Sequence, residues 1–393
     1  MREGWKIKKF EDCLQKVKST KKIPKKSFLD EGRYPIISQE NEFINGYWNN
    51  YNDVLKVEKP IVIFGDHTKK IKYIDFDFVK GADGIVTLLP VNEINSKFFV
   101  YQIQNFELRD LGYARHYRIL KEKNIVVPPL LEQKQIVAIL DEAFTAIDQA
   151  KANIEKNIEY AKELFQSKLN ATFEEFNEKF NSKKLGSILE ILTDYHANGS
   201  YKVLKENVEL KDQEDYAWMV RSTDFEKDFK KDFKYIDEHA YNHLKKSKIF
   251  GGEIIISKIG NAGKVYVMPE IDRPCSLAMN LFLLRLNKEK MISKYLYYYL
   301  QSTKGEKQIL SKLNGATTKT ITKDNVRDLN IPYVEVVIQN QKVLEFEKLS
   351  QKVIELENFY NQKIIDIEEL KKSILQKAFA GELTGKELAV EVE

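Results

Sequence analysis

Cysteine, proline, glycine and histidine are all scarce in this chain, and each shortage excludes something. Only two cysteines occur in 393 residues, Cys13 and Cys275, one in each half. A disulfide framework or a structural zinc site is therefore not expected, and both thiols read as buried core residues of a cytoplasmic protein. Nine prolines and 17 glycines leave long stretches unbroken, and residues 131–185 and 333–380 contain neither. No run of 18 apolar residues occurs, which argues against a membrane span. The charged residues 1–10 lack the apolar core of an export signal. Five histidines offer few bases or metal ligands. His239 and His243 have the spacing of two zinc ligands on one helix face, but no third ligand is evident and they read as ordinary side chains.

What is abundant is charge and apolar residues in globular proportion, 31% and 43%, which fits folded domains rather than disorder. The net charge of +4 conceals an alternation. Residues 1–128 carry +6 (23 basic against 17 acidic) and residues 129–182 carry −4 (6 against 10). Residues 183–332 again carry +6 (26 against 20) and residues 333–393 carry −4 (8 against 12). Basic blocks suit a polyanion such as DNA; acidic blocks suit a frame or a protein-docking surface.

The alternation follows a repeat. Residues 133–173 recur without a gap at 339–379, an offset of 206. Gln133 pairs with Gln339, Gln135 with Gln341, Glu163 with Glu369, Leu169 with Leu375 and Phe173 with Phe379. Long-period similarity of this kind decides architecture. Each copy lies in a glycine- and proline-free stretch bounded by Pro128-Pro129 and Gly186, or by Pro332 and Gly381, so each is expected to be one long helix. About 45 residues of helix would extend roughly 70 Å, which points to a coiled coil. The apolar seam of the first copy is Leu140, Ala143, Ile147, Ala150, Ile154, Ile158 and Ala161. That of the second is Phe346, Leu349, Val353, Leu356, Tyr360, Ile364 and Ile367. Both step by 3, 4, 3, 4, 4, 3, sharing one stutter that locally unwinds a supercoil. Three alanines in the first seam stand where the second has Leu349, Leu356 and Ile367, a complementarity that predicts an intramolecular pair. The seams leave parallel and antiparallel both open.

The blocks between the helices are mixed. Strands are expected at 60–64, 84–89, 253–257, 265–268 and 280–286, and helices at 96–104 and 293–301. The fold class is α+β, with two α/β domains at 1–128 and 183–332, helical regions at 129–182 and 333–385, and an acidic tail at 386–393.

The junction Asn124-Ile125-Val126-Val127-Pro128-Pro129-Leu130-Leu131-Glu132-Gln133, followed by Ile136, resembles the start of the conserved regions of type I restriction–modification specificity subunits. Residues 369–383, from Glu369-Leu370-Lys371-Lys372-Ser373 to Gly381-Glu382-Leu383, are similar to the ends of those regions. Residues 251–265, with Gly260-Asn261-Ala262-Gly263-Lys264-Val265, and the stretch Trp218-Met219-Val220-Arg221-Ser222-Thr223-Asp224 look like recurring parts of that family's target recognition domains. The resemblance covers the whole chain in the family's order. It implies a non-catalytic, prokaryotic DNA-reading subunit that docks two methyltransferase (modification) subunits and two restriction (translocase/nuclease) subunits. It also implies antiparallel helices acting as a ruler between two halves of an asymmetric DNA site. No cofactor would be bound by this chain; S-adenosylmethionine and ATP/Mg would belong to the partner subunits. The chain departs from the pattern at its second junction, Asn330-Ile331-Pro332-Tyr333-Val334-Glu335, which has a single proline, and at Ile338, which stands where Glu132 stands in the first copy.

DNA reading needs donors and acceptors at base edges and cations at phosphates. In the second domain the candidates are Ser257, Lys258, Asn261 and Lys264, with Gly260 and Gly263 allowing close backbone approach. Thr317, Thr318 and Lys319 follow in the stretch after Gly315, and Arg221 lies in the 218–224 stretch. In the first domain they are Arg115, His116 and Arg118 after Gly112, then Lys69, Lys70 and Lys72, then Gln39 and Asn41, amides suited to adenine. Self-contained enzymes are disfavoured. Asn330-Ile331-Pro332-Tyr333 falls one proline short of the adenine-methyltransferase Asn-Pro-Pro-Tyr motif and has no glycine-rich cofactor loop beside it. Gly263-Lys264-Val265 lacks the Ser/Thr of a P-loop. No Pro-Asp pair occurs, which weakens a nuclease reading. The tyrosines at 297–299 fit a packed helix. A coiled-coil scaffold whose basic domains bind proteins is the remaining rival.

Overall fold

The computed structural model describes residues 2–82, 84–109, 111–112 and 114–384. The acidic tail 386–393 and residue 385 lie outside the described residues. The chain separates into two compact units, residues 1–155 with 360–393, and residues 156–359. Each unit therefore holds one mixed α/β head, the first half of the helix that follows it and the second half of the other helix. The expected division into two domains, two helical regions and a tail drew its boundaries at the helix ends instead. The helices themselves are Leu130–Lys179 and Val336–Ala380.

The heads share a plan. Head 1 has an antiparallel sheet in the order Leu14–Gln15, Ile85–Pro90, Ile61–Gly65, Ile71–Ile74. Head 2 repeats it as Leu189–Asp194, Leu281–Leu286, Ile254–Ser257, Val265–Val267. The two inner strands are nearly continuous apolar runs; Ile254, Ile255 and Ile256 are fully covered, as strands buried on both faces must be. A second sheet in each head contains parallel pairing, Lys22–Ile23 and Tyr34–Ile37 each with Phe78–Gly81 in head 1 and Ala217–Val220 with Cys275–Leu277 in head 2. A two-stranded ribbon closes each head, Lys6–Lys9 with Asn124–Val127 and Ser182–Lys184 with Asn330–Pro332, and its second strand delivers the chain to the long helix. The expected helices are Ser96–Gln104 and Ser293–Gln301, and the expected strands differ from those found by a residue at either end.

The repeated glutamines explain how a helix is fixed to its head. Gln133 is fully buried. Its Oε1 accepts from Asn95 N at 2.8 Å, and its Nε2 donates to Glu93 O at 2.9 Å and Pro128 O at 2.8 Å. Gln339, also fully buried, makes the same three bonds to Ile292 N, Lys290 O and Val334 O at 2.9, 3.0 and 2.8 Å. One amide thus satisfies three backbone groups that burial would otherwise leave bare. The repeated phenylalanines do the apolar counterpart. Phe379 packs edge-on to Phe98 at 5.3 Å in unit 1. Phe173 meets Tyr295 and Tyr299 at 5.4 and 5.3 Å in unit 2. Each head's core therefore continues into both helices: Ile136, Leu140, Phe144, Leu375 and Phe379 in unit 1, and Leu169, Phe173, Phe176, Val343 and Phe346 in unit 2.

Cross-helix ion pairs set the direction. In unit 1 Asp148 pairs with Lys371 at 3.1 Å and Lys151 with Glu368 at 2.7 Å. In unit 2 Lys162 pairs with Glu357 and Lys168 with Glu345, both at 2.9 Å. Partner numbers fall as the first helix's numbers rise, so the helices are antiparallel within each unit. Of the expected seam, Leu140, Ile147 and Phe346 are buried. Ala143, Ala150, Ile154, Ile158, Ala161, Leu349, Val353, Tyr360, Ile364 and Ile367 are half-buried. Leu356 is a correction: it is 42% exposed. Two helices alone cover only one stripe of each other, and the positions that are closed off are those a head also covers.

The departure at Ile338 has a structural counterpart. Glu132, where the first copy carries a carboxylate, accepts from Trp5 Nε1 at 2.9 Å and Thr384 Oγ1 at 2.6 Å and pairs with Arg2 at 2.7 Å. It ties the start of the chain, the start of the first helix and the segment after the second. In unit 2 Ile338 packs against the apolar core instead. Past Ala380 the second helix stops on Gly381 at φ +83°, with Glu382 N donating to Lys377 O at 3.0 Å, a left-handed cap suited to glycine.

Candidate nucleic-acid interface

The sequence candidates of head 1 come from three separated stretches, and the backbone brings most of them together at one end of the inner strands. Gly65 N donates to Lys70 O at 2.8 Å, which closes the 65–70 turn. Asp66 N then donates to Gly84 O at 2.6 Å, and His116 N to Asp66 O at 2.8 Å. Gln39 joins from the second sheet: its Oε1 accepts from His67 N at 3.1 Å and its carbonyl from Thr68 Oγ1 at 2.7 Å.

Head 2 builds the same cluster from different side chains. Ser257 N donates to Lys264 O at 2.9 Å, Lys258 N to Asn280 O at 2.7 Å, and Ile321 N to Lys258 O at 3.1 Å. Gly84 and Asn280 hold the same left-handed backbone, φ +70° and +68°. Asp66 and Lys258 therefore occupy equivalent places with opposite charge. The 314–320 loop is closed by reciprocal bonds between Asn314 and Thr320, both 2.9 Å. Gly315 turns it at φ +96°, where a Cβ would lie 2.2 Å from Thr318 O, so only glycine fits.

Exposure divides the candidates. Arg115 has a 79% exposed side chain, with Nε 3.9 Å from Asp66 Oδ2. Arg118, Lys70 and Asn41 are also exposed, and Lys69 is half-buried at φ +58°. In head 2 Thr317, Thr318 and Lys319 are exposed on the turned loop. Asn261 and Lys264 are exposed and share Glu226, at 3.3 and 3.6 Å.

Four candidates are committed to the fold instead. Lys72 is 6% exposed. Its Nζ donates to the carbonyls of Glu42 and Phe43, the latter at 3.3 Å, and to Asn45 Oδ1 at 3.2 Å, and burial lowers its pKa. It anchors the 42–45 loop from inside. His116 is fully buried, its Nδ1 3.0 Å from Asp66 O and its Nε2 accepting from Leu111 N at 3.2 Å. Ser257 is 2% exposed and its hydroxyl donates to Ile259 O at 3.2 Å. Arg221 forks onto Asp224, Nη2 to Oδ1 at 2.7 Å and Nε to Oδ2 at 3.3 Å, and so fixes its own turn. These four hold the loops that present the exposed ones.

Lys258 is intermediate. Its Nζ donates to Asp194 Oδ2 at 3.1 Å, and Lys323 donates to the other oxygen at 2.8 Å. Burial pushes the Asp194 carboxyl up, but the bonds from Lys323 and Lys258 outweigh it and hold the pKa below the ordinary value. Asp194 and Lys323 escaped the sequence reading because 129 residues separate them and neither lies in a motif. Both thiols are buried, and burial pushes Cys13 up to about 11 and Cys275 to about 12, which leaves them unreactive. Among the described residues no group of three His, Cys, Asp or Glu side chains is placed to hold a metal ion. No helix among them is long and apolar enough to cross a membrane.

Comparison with known proteins gives the cluster a context. The chain is 23% identical over 285 residues to the type I restriction enzyme EcoBI specificity subunit of Escherichia coli, a match covering 68% of this chain and 60% of that relative. It is 24% identical to the EcoR124I/EcoR124II specificity subunit of the same organism, over 85% of this chain and 84% of the relative. A solved chain from a study of complex assembly and conformational transition of the type I R-M system superposes with a TM-score of 0.71 at 17% identity, covering 97% of this chain and 99% of that one. The HsdS subunit of Thermoanaerobacter tengcongensis superposes with a TM-score of 0.58 at 17% identity, over 98% of both chains. The model of the type I restriction modification DNA specificity domain matches residues 2–160 and again 177–368, one copy for each head with its helix, and the chain belongs to that family.

Proposed function

We propose that this chain reads a split, asymmetric DNA site, one half with each loop cluster, and contributes no chemistry of its own. One observation carries the reading most: the same cluster is built twice on matching backbone bonds, Asp66–Gly84 and Lys258–Asn280, yet displays different exposed side chains. Shared scaffolding with divergent tips is what two independent readers of base edges need. Arg115 and Arg118 serve one half-site. Asn261, Lys264, Thr317, Thr318 and Lys319 serve the other. The antiparallel helices set the unread spacer and offer an acidic frame to two methyltransferase and two translocase–nuclease subunits, which would hold S-adenosylmethionine and ATP/Mg.

The test is selection from random-sequence duplexes by the complex of this chain with its methyltransferase partner. Enrichment of a two-part motif with a fixed gap is expected. Absence of any sequence selection would sink the reading and favour a coiled-coil scaffold whose basic heads bind proteins.

A further inference from the structure

Head 2 carries an apolar feature at its reading loops that the polar candidates do not explain. Ile259 follows Lys258 in the 257–264 loop and pairs with Thr320 of the 314–320 loop. Met279 precedes Asn280 in the turn between Cys275–Leu277 and Leu281–Leu286. Both are large and apolar, yet 37% and 47% exposed. They share the wall of a concavity of about 470 Å³ with Tyr201, Arg221 and Ser222, and Tyr201 is itself 68% exposed. Exposed apolar side chains gathered beside polar ones mark an interaction site rather than scatter. Head 1 is built differently at this point, since the residue after Asp66 is His67, whose N–H is held by Gln39.

The occupant follows from continuity and charge. Lys258 and Asn280, bonded to each other, flank these two residues, and the loop carrying Thr317 to Lys319 is joined to Ile259 through Thr320. The head carries a net +6, which favours a duplex. The one apolar group that B-DNA displays in its major groove is the C5-methyl of thymine. We infer that Met279 and Ile259 read a thymine methyl group in the half-site bound by head 2. The inference rests on the DNA-reading assignment above and assigns it a base.

The experiment uses the complex with the methyltransferase partner and its own recognition duplex, in which deoxyuridine replaces thymidine in one half-site at a time. Uracil keeps every hydrogen-bonding group and lacks only the methyl. Replacement in one half-site should weaken binding about fourfold, the worth of one buried methyl group. The Met279→Ala/Ile259→Ala double variant should bind the thymidine and deoxyuridine duplexes alike, and Met279→Leu should keep the discrimination. Discrimination that survives in the double variant would overturn the inference. So would equal binding of both duplexes by the natural chain, or a half-site bound by head 2 that contains no thymine. Failure of the DNA-reading assignment would show separately, as no sequence-selected binding by the natural chain.

Discussion

Removing the Lys72 ammonium deprives two carbonyls and the Asn45 amide oxygen of a donor at once. Lys72→Met should therefore lower stability by roughly 1–3 kcal/mol, read as a lower urea midpoint, while the recognised bases stay the same. Arg115→Ala should do the reverse. Its side chain is 79% exposed, so stability should move by no more than about 0.5 kcal/mol. If Arg115 meets a base, one position of one half-site relaxes by about 1–3 kcal/mol; if it meets a phosphate, all sites weaken evenly and the salt dependence falls. Asp194 adds a pH dependence. Its pKa is held below the ordinary 3.8 in the folded chain, so its pairing with Lys323 and Lys258 stabilises fully above that value and is lost as pH falls through the folded pKa. Acid titration of the unfolding midpoint should show a weaker fall for Asp194→Asn than for the natural chain; identical slopes would contradict the assignment. At this scale the sequence did not reveal which candidates are exposed and which are held inside the fold. Lys70 and Lys72 are two residues apart, one exposed and one buried, because Lys70 ends the 65–70 turn while Lys72 lies inside the strand Ile71–Ile74 and reaches the 42–45 loop.

The long helices were the most legible elements. Absence of glycine and proline, a seam of period 3.5 and an offset of 206 are local facts, and they located both helices. The apolar runs located the inner strands for the same reason. The parallel pairs join residues 43 and 57 apart, Ile36 with Val79 and Trp218 with Cys275, and the closing ribbons join residues up to 150 apart, Ser182 with Pro332, which periodicity does not encode. The exposure of Leu356 shows the same limit: its place in the seam is regular, but no head covers it. Gln133 and Gln339 are stronger tests of the repeat than any seam residue. Gln133→Leu and Gln339→Leu each leave one buried N–H and two carbonyls without their partner. Each should cost roughly 1–3 kcal/mol for every group left bare, with equal losses in thermal or urea unfolding because the two sites are built alike. Cost at one site only would mean that the repeat is not functionally equivalent in its two copies.

The whole molecule is two copies of one plan closed differently. Head 2 lies between the two long helices, whereas in unit 1 Glu132 joins Arg2 and Trp5 to Thr384. If the helices set the spacer, adding seven residues to each at matched positions lengthens the pair by about 10 Å. The spacer should then grow by about three base pairs at 3.4 Å each, with both half-sites unchanged, as read by sequencing methylated sites. The most direct test of the central claim is the same readout on single variants: the methylome of a host carrying this chain and its methyltransferase, compared with Arg115→Ala and with Lys319→Ala. A two-part motif is predicted, with any loss of base preference confined to one half in Arg115→Ala and to the other half in Lys319→Ala. A contiguous motif, or one variant relaxing both halves together, would contradict it.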